Sequence, residues 1–119
     1  MTDSSFGAYV RQCREKLKER DAEFSVRRVA GRVGIEPAYL SKIERGEMPP
    51  PGEETILKLA ADLELDADAL LAMGGKLSSD LRTIILRRPN LFAQLIRELK
   101  NAPDHAVLRI VRQVQDGDW

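Results

Sequence analysis

Phe6, Tyr9, Val10, Cys13 and Leu17 recur at steps of three and four residues, the spacing that gathers side chains on one face of a helix. This first helix is expected to end near Arg20, with Ser4 or Ser5 accepting the free amide hydrogens at its start. Cys13 falls on the apolar stripe and reads as a small core residue. After Asp21-Ala22-Glu23, Ser25 is suited to cap a short second helix whose apolar residues are Val26, Val29, Ala30 and Val33, and Gly34 stops it. Pro37 then opens a third helix, where its missing amide hydrogen would have been unpaired anyway. Leu40 and Ile43 face inward from it, and Gly46 ends it.

Pro49-Pro50-Pro51-Gly52 separates that helix from a fourth, Glu53 to Leu63, with Ile56, Leu57, Leu59, Ala60 and Leu63 as its stripe. A fifth begins after a capping Asp66 and runs through Leu70 and Leu71 to Gly74-Gly75. Three more helices follow, near 79–87, 90–100 and 104–115. Their apolar faces are Leu81, Ile84 and Ile85; Leu91, Leu95, Ile96 and Leu99; and Val107, Leu108, Val111 and Val114. Pro89 and Pro103 mark the joints. No stretch alternates in the manner of a strand and no repeat is visible, so the fold is expected to be all-α. Most of these helices are shorter than the ~12–15 residues that hold in water alone, so they exist by packing together. The expected organisation is a five-helix domain over residues 1–75 and a helical extension of about three helices over 76–119.

The second and third helices are separated by a very short turn. Gly34 allows a positive φ in it, and Ala30 lets the two helices approach closely. Val29, Val33, Ile35, Leu40 and Ile43 fill the angle between them, which is a helix-turn-helix arrangement. "FSVRRVAGRVGIEPAYLSKIERGE", followed by "PPPGEETILKLAADLELDADALL", resembles the Cro/C1-type (xenobiotic-response-element) helix-turn-helix regulators with the lambda-repressor-like fold. The resemblance covers about Phe6 to Met73, and its marks are the Ala30/Gly34 spacing, "YLSKIERG" and "LKLAADL". It implies a protein that binds operator DNA, usually as a dimer, and represses or activates transcription. Two positions depart from the family pattern: Val26 stands where Gln is common, and Glu36 where a capping Ser or Thr is usual.

An α-helix fits the major groove, where base edges differ in donors, acceptors and methyl groups. The third helix is therefore the expected reading helix, with Pro37, Ala38, Tyr39, Ser41 and Lys42 as base-reading residues. Lys42 can donate to guanine, Ser41 to a base or phosphate, and Pro37 or Ala38 can touch a thymine methyl. Tyr39 either reaches a phosphate or base, or is partly core. Ser25 with the free amides after it, Arg27, Arg28 and Arg45 are expected to grip the backbone, which fixes register without reading sequence. Glu36 would repel phosphates unless it turns toward cytosine or a neighbour such as Arg32. Glu44 is expected to make a structural bond or an ion pair, for example with a basic residue in the same helical layer, rather than to touch DNA.

The chain of 119 residues carries 19 basic and 19 acidic residues, which argues against coating nucleic acid or anionic membrane through bulk charge. The distribution is uneven. Residues 1–45 hold ten bases against seven acids, 46–75 hold Lys58 against seven acids, and 76–119 hold eight bases against five acids. That pattern fits a basic contact face backed by an acidic side. A single cysteine excludes an internal disulfide. No segment approaches the roughly 20 apolar residues of a membrane span, and the amino terminus lacks the layout of a secretory signal, so a cytoplasmic protein is expected.

His105 and Cys13 are the sole residues of their types and sit in distant segments, so no nucleophile–base pair, metal site or cofactor cradle is expected, and no enzyme. The stripes beyond residue 76 exceed what a small domain needs for draped helices. Leu91, Leu95, Leu99, Val107, Val111 and Val114 are the expected dimer or partner interface. A homodimer reading an inverted repeat is the leading expectation, with a repressor role. The alternative is an antitoxin-type or effector-bound module whose last helices hold a protein partner. Trp119 is either an anchor or a frayed end.

Overall fold

The computed structural model describes residues 2–117 and 119, with side chains from Phe6 onward. The described residues form eight α-helices, one short 3-10 turn and no strand. The chain divides into two compact units, Met1–Leu81 and Arg82–Trp119.

The first unit contains α1 (Thr2–Lys18), a 3-10 turn at Ala22–Phe24, α2 (Val26–Val33), α3 (Pro37–Glu44), α4 (Glu53–Asp62) and α5 (Ala67–Met73). Its helix ends are set by local chemistry. The Ser25 hydroxyl accepts the Arg28 amide at 3.2 Å and so satisfies one free donor of α2. Gly34 stops α2 in the left-handed region at φ 87°, donating its amide to the Ala30 carbonyl at 2.8 Å. Glu36 is extended, as a residue before proline must be, and Pro37 opens α3. Asp66 accepts the Ala69 amide at 2.8 Å and caps α5. Past α5, Ser78 is buried and accepts the Leu81 amide at 3.1 Å. The Ser79 hydroxyl donates to Glu53 at 3.0 Å, so the compact unit continues beyond Gly75 to Leu81.

All five helices supply the core: Phe6 and Val10 from α1, Val29, Ala30 and Val33 from α2, Leu40 and Ile43 from α3, Ile56, Leu59 and Ala60 from α4, Leu63 just after it, and Leu70 and Leu71 from α5. Each large side chain sealed there contributes about 1.5–3 kcal/mol. Gly7 is buried against α3, where an added Cβ would overlap the Ile43 carbonyl oxygen and crowd that of Glu44. Main chain therefore meets main chain at that crossing.

Three expectations are corrected, and one further element is added. Ser4 and Ser5 lie inside α1, which starts at Thr2, so neither backbone stands at the helix start; their side chains lie outside the described residues. Cys13 is only half-buried, and Arg14 takes the sealed place beside it. Leu57 is exposed, because the step of one residue from Ile56 turns it about 100° off the buried face. The segment Ala22–Phe24 is a 3-10 turn capped by Asp21, whose carboxylate accepts the Glu23 amide at 2.9 Å.

The boundary between the units falls within α6 (Ser79–Arg87). The second unit contains α7 (Pro89–Glu98) and α8 (Asp104–Gln115). Pro89 is the first residue of α7, and Asp104, a residue suited to the positive end of a helix, the first of α8. No described residue of α6, α7 or α8 is buried. Leu91 is 64% exposed, Leu95 44% and Val114 60%.

Candidate nucleic-acid interface

Three residues, Gly34, Ile35 and Glu36, join α2 to α3. The left-handed Gly34 bends the chain there, and Ile35 plugs the angle against the core. Because Leu40, Ile43 and Glu44 are sealed, the opposite face of α3 is turned outward by helical geometry. Pro37, Ala38 and Lys42 are exposed, Ser41 is half-exposed, and Tyr39 is half-buried with its ring on the core. Arg45, at the end of α3, is exposed on the same face as Ser41 and Ala38.

A buried ion pair holds this helix to α1. The Arg14 guanidinium donates to both Glu44 carboxylate oxygens, at 2.7 and 2.9 Å, and to the Phe24 carbonyl at 3.1 Å. Both side chains are almost wholly sealed from solvent, so their charges are compensated by each other and by the turn at Phe24. Glu44 is therefore structural. Its partner lies 30 residues away in sequence, on a stripe position that looks like an apolar one.

The cations on and beside this face differ in what they already touch. Arg27 and Lys42 are exposed, and no salt bridge reaches either among the described residues. Arg28 is paired with Glu23 at 3.0 Å. Arg45 donates to the Ser41 hydroxyl and to Glu47, the latter at 2.8 and 3.2 Å. The hydrogen bond to Glu47 raises the Arg45 pKa above the usual arginine value. The same bond, helped by the charges of Arg45 and Lys42, holds the Glu47 carboxyl below its ordinary value. Arg32 is committed to Asp62 of α4 at 2.6 and 3.0 Å, with its guanidinium 5.1 Å from the centre of the Phe24 ring. Its hydrogen bond to Asp62 raises its pKa. Glu36 forms no side-chain cap, and Arg32 is not its partner. Ser25 commits its hydroxyl to the Arg28 amide, and Val26 packs against the core.

Residues outside the sequence expectation also border this face. A polar groove of about 260 Å³ runs between α1, the first residue of α2 and the end of α3. Arg11, Arg14 and Lys18 line it from α1, and Ser41, Glu44 and Arg45 from α3. The signal for α1 was present as bases at spacings of three and four on the face of Arg14, but it carries meaning only once that face is known to meet α3.

Elsewhere in the first unit, the neighbouring Cys13 raises the Tyr9 pKa, and Cys13 borders a groove of about 480 Å³ with Leu17, Leu63 and Leu65. Among the described residues, no group of three or more His, Cys, Asp and Glu is placed to hold a metal ion, and no helix is long and apolar enough to cross a membrane. In the second unit, Leu91, Leu95, Val111 and Val114 are exposed, and Leu99 and Val107 half-exposed.

A short α2, a left-handed glycine, a tight turn and an outward-facing α3 locked onto α1 together define a helix-turn-helix domain of the DNA-binding kind. The sequence pattern described as a helix-turn-helix domain matches residues 5–73, more than half of the chain, and the chain belongs to that family. No curated protein and no solved structure matches it.

Proposed function

We propose that the chain is a cytoplasmic Cro/C1-type transcription regulator, a repressor that reads an inverted-repeat operator as a homodimer with α3 in the major groove. The observation that carries this reading is the division of α3: Leu40, Ile43 and Glu44 are sealed into the domain, while Pro37, Ala38 and Lys42 stand exposed. A helix so held presents a rigid row of side chains to base edges. Lys42 donates to guanine O6 or N7, Ser41 to a base or phosphate, and Pro37 and Ala38 pack on thymine methyls. Tyr39 contributes its hydroxyl from a ring anchored on the core. Arg27, Arg28 and Arg45 hold phosphates, as do the first amides of α2 beyond Ser25.

The homodimer is proposed from α7 and α8, whose apolar positions lie open. One reading helix covers only a few base pairs, whereas two related by a two-fold axis read half-sites roughly 34–36 Å apart. Selection of bound duplexes from a random library tests every part together. The expected output is an inverted repeat at that spacing. A single half-site would refute the dimer and favour the antitoxin-type reading, in which α7 and α8 hold another protein. Output with no common sequence would refute specific reading altogether.

A further inference from the structure

The helix-turn-helix accounts for α2 and α3, yet the polar groove beside them is walled on one side by α1. We infer that α1 supplies a further phosphate-binding site: Arg11 and Lys18, facing Arg45 across this groove, take a backbone phosphodiester group of the duplex that α3 reads. This rests on the DNA-binding reading above and adds residues that the helix-turn-helix itself does not contain.

The charge balance of the groove favours an anion. Glu44 has both oxygens engaged by Arg14, and Arg14 also donates to the Phe24 carbonyl, so the charges of that pair cancel. Among the other lining charges, Arg11, Lys18 and Arg45 face a single carboxylate, Glu15. Glu15 meets Arg11 at 3.4 Å and Arg14 at 3.8 Å, distances that are long, and it is solvent-exposed on its side and so weakly held. Glu47, which pairs with Arg45, does not line the groove, and a phosphate can exchange with it at little cost because that pair is exposed. Arg11, Arg14 and Lys18 follow one another at steps of three and four along one face of α1, and Ser41 and Arg45 project from the face of α3 that also carries Ala38. The groove thus continues the reading face, and a duplex that receives α3 runs alongside it. That continuity selects a DNA phosphodiester over a free phosphate compound.

The test uses the full chain, its selected duplex and a random duplex, with affinity followed by fluorescence anisotropy from low to moderate salt. Removing one cation that neutralises a phosphate lowers the slope of log affinity against log salt by about 0.9. Arg11→Gln and Lys18→Gln are each expected to show that reduction and to weaken both duplexes by the same factor. Lys16→Gln, which removes the same charge from the side of α1 lining the other groove, is expected to keep the parent slope. Unchanged slopes in the Arg11 and Lys18 variants, with the parent still binding its duplex, overturn the inference and leave the DNA reading standing. An equal reduction in the Lys16 variant also overturns it, because bulk charge then explains the effect. Inorganic phosphate bound in an Arg11- and Lys18-dependent way without any change in slope overturns the DNA assignment of the site. Failure of the parent chain to bind any duplex overturns both readings.

Discussion

The two units of this chain use the same kind of helix and treat it oppositely. In Met1–Leu81 the helices α1 to α5 turn apolar faces onto one another, and thirteen hydrophobic residues are sealed among those described. In Arg82–Trp119 the helices carry stripes of equal regularity, and no described residue of α7 or α8 is buried. An amphipathic stripe therefore specifies that something should cover it, without saying what. The first unit supplies its own cover through a short turn and a close main-chain approach at Gly7. The second leaves Leu91, Leu95, Val111 and Val114 open, so its stripes are not covered from within the unit.

The contrast is broken or sharpened most strongly at Glu44. Glu44→Ala strands the Arg14 charge inside the closed unit and is expected to cost about 3–5 kcal/mol, read as a lowered thermal midpoint by circular dichroism. Replacing both partners by apolar residues should recover most of that stability. A cost under about 1 kcal/mol would mean that the pair does not help close the unit.

Next comes a matched pair of truncations. Leu40→Ala should cost about 2–5 kcal/mol at any protein concentration. Leu95→Ala should cost at most about 0.5 kcal/mol in dilute solution, as an exposed site does. If a second copy covers the open faces, that cost grows with protein concentration. Equal costs at high dilution would erase the distinction between the units.

A smaller effect separates structure from reading within the closed unit. Lys42→Ala should leave stability within about 0.5 kcal/mol and remove about 1–3 kcal/mol of discrimination at one base pair per half-site. Arg28→Ala should instead weaken all duplexes alike. If both variants weaken every sequence equally in anisotropy titrations, the division between base reading and backbone grip fails.

The smallest effect concerns pH. Folding holds the Glu47 carboxyl below its ordinary value through Arg45, so the folded state binds that proton less readily than the unfolded chain. Whatever stability the ion pair gives is therefore present above the usual carboxylate range and disappears as pH falls through the lowered folded value. The difference in melting midpoint between the parent chain and Glu47→Gln should shrink to nothing under acid conditions. A difference that persists there would point to a cause other than this ion pair.

What the sequence disclosed was mostly what acts over short distances. Ser25, Gly34, Pro37 and Asp66 act on backbone within four residues of themselves, and each stands where the pattern puts it. What stayed hidden was set by partners far along the chain. Arg14 reads as a surface cation until Glu44 is brought to it from 30 residues away. The clue was that both charges occupy inward positions, Arg14 four residues after Val10 and Glu44 four after Leu40. Gly7 gives no sign of its role until α3 lies across it. The carboxylates beside Arg28 and Arg45 were visible, but their side-chain geometry was not. The exposed residues of α3 follow from its outward turn, while the groove that α1 forms with it emerges only from the packed domain.

The meeting of main chains at Gly7 acts as a hard stop for α3. The distance between α1 and α3 is fixed there by atoms that every amino acid shares, so exchanges of volume among Phe6, Val10 and Leu40 can retune stability while the projection of α3 stays calibrated. One methyl group at position 7 would do the reverse, displacing the helix bodily without changing any of its side chains. Position 7 is thus a gauge for the placement of α3, carried by the residue type that has no side chain.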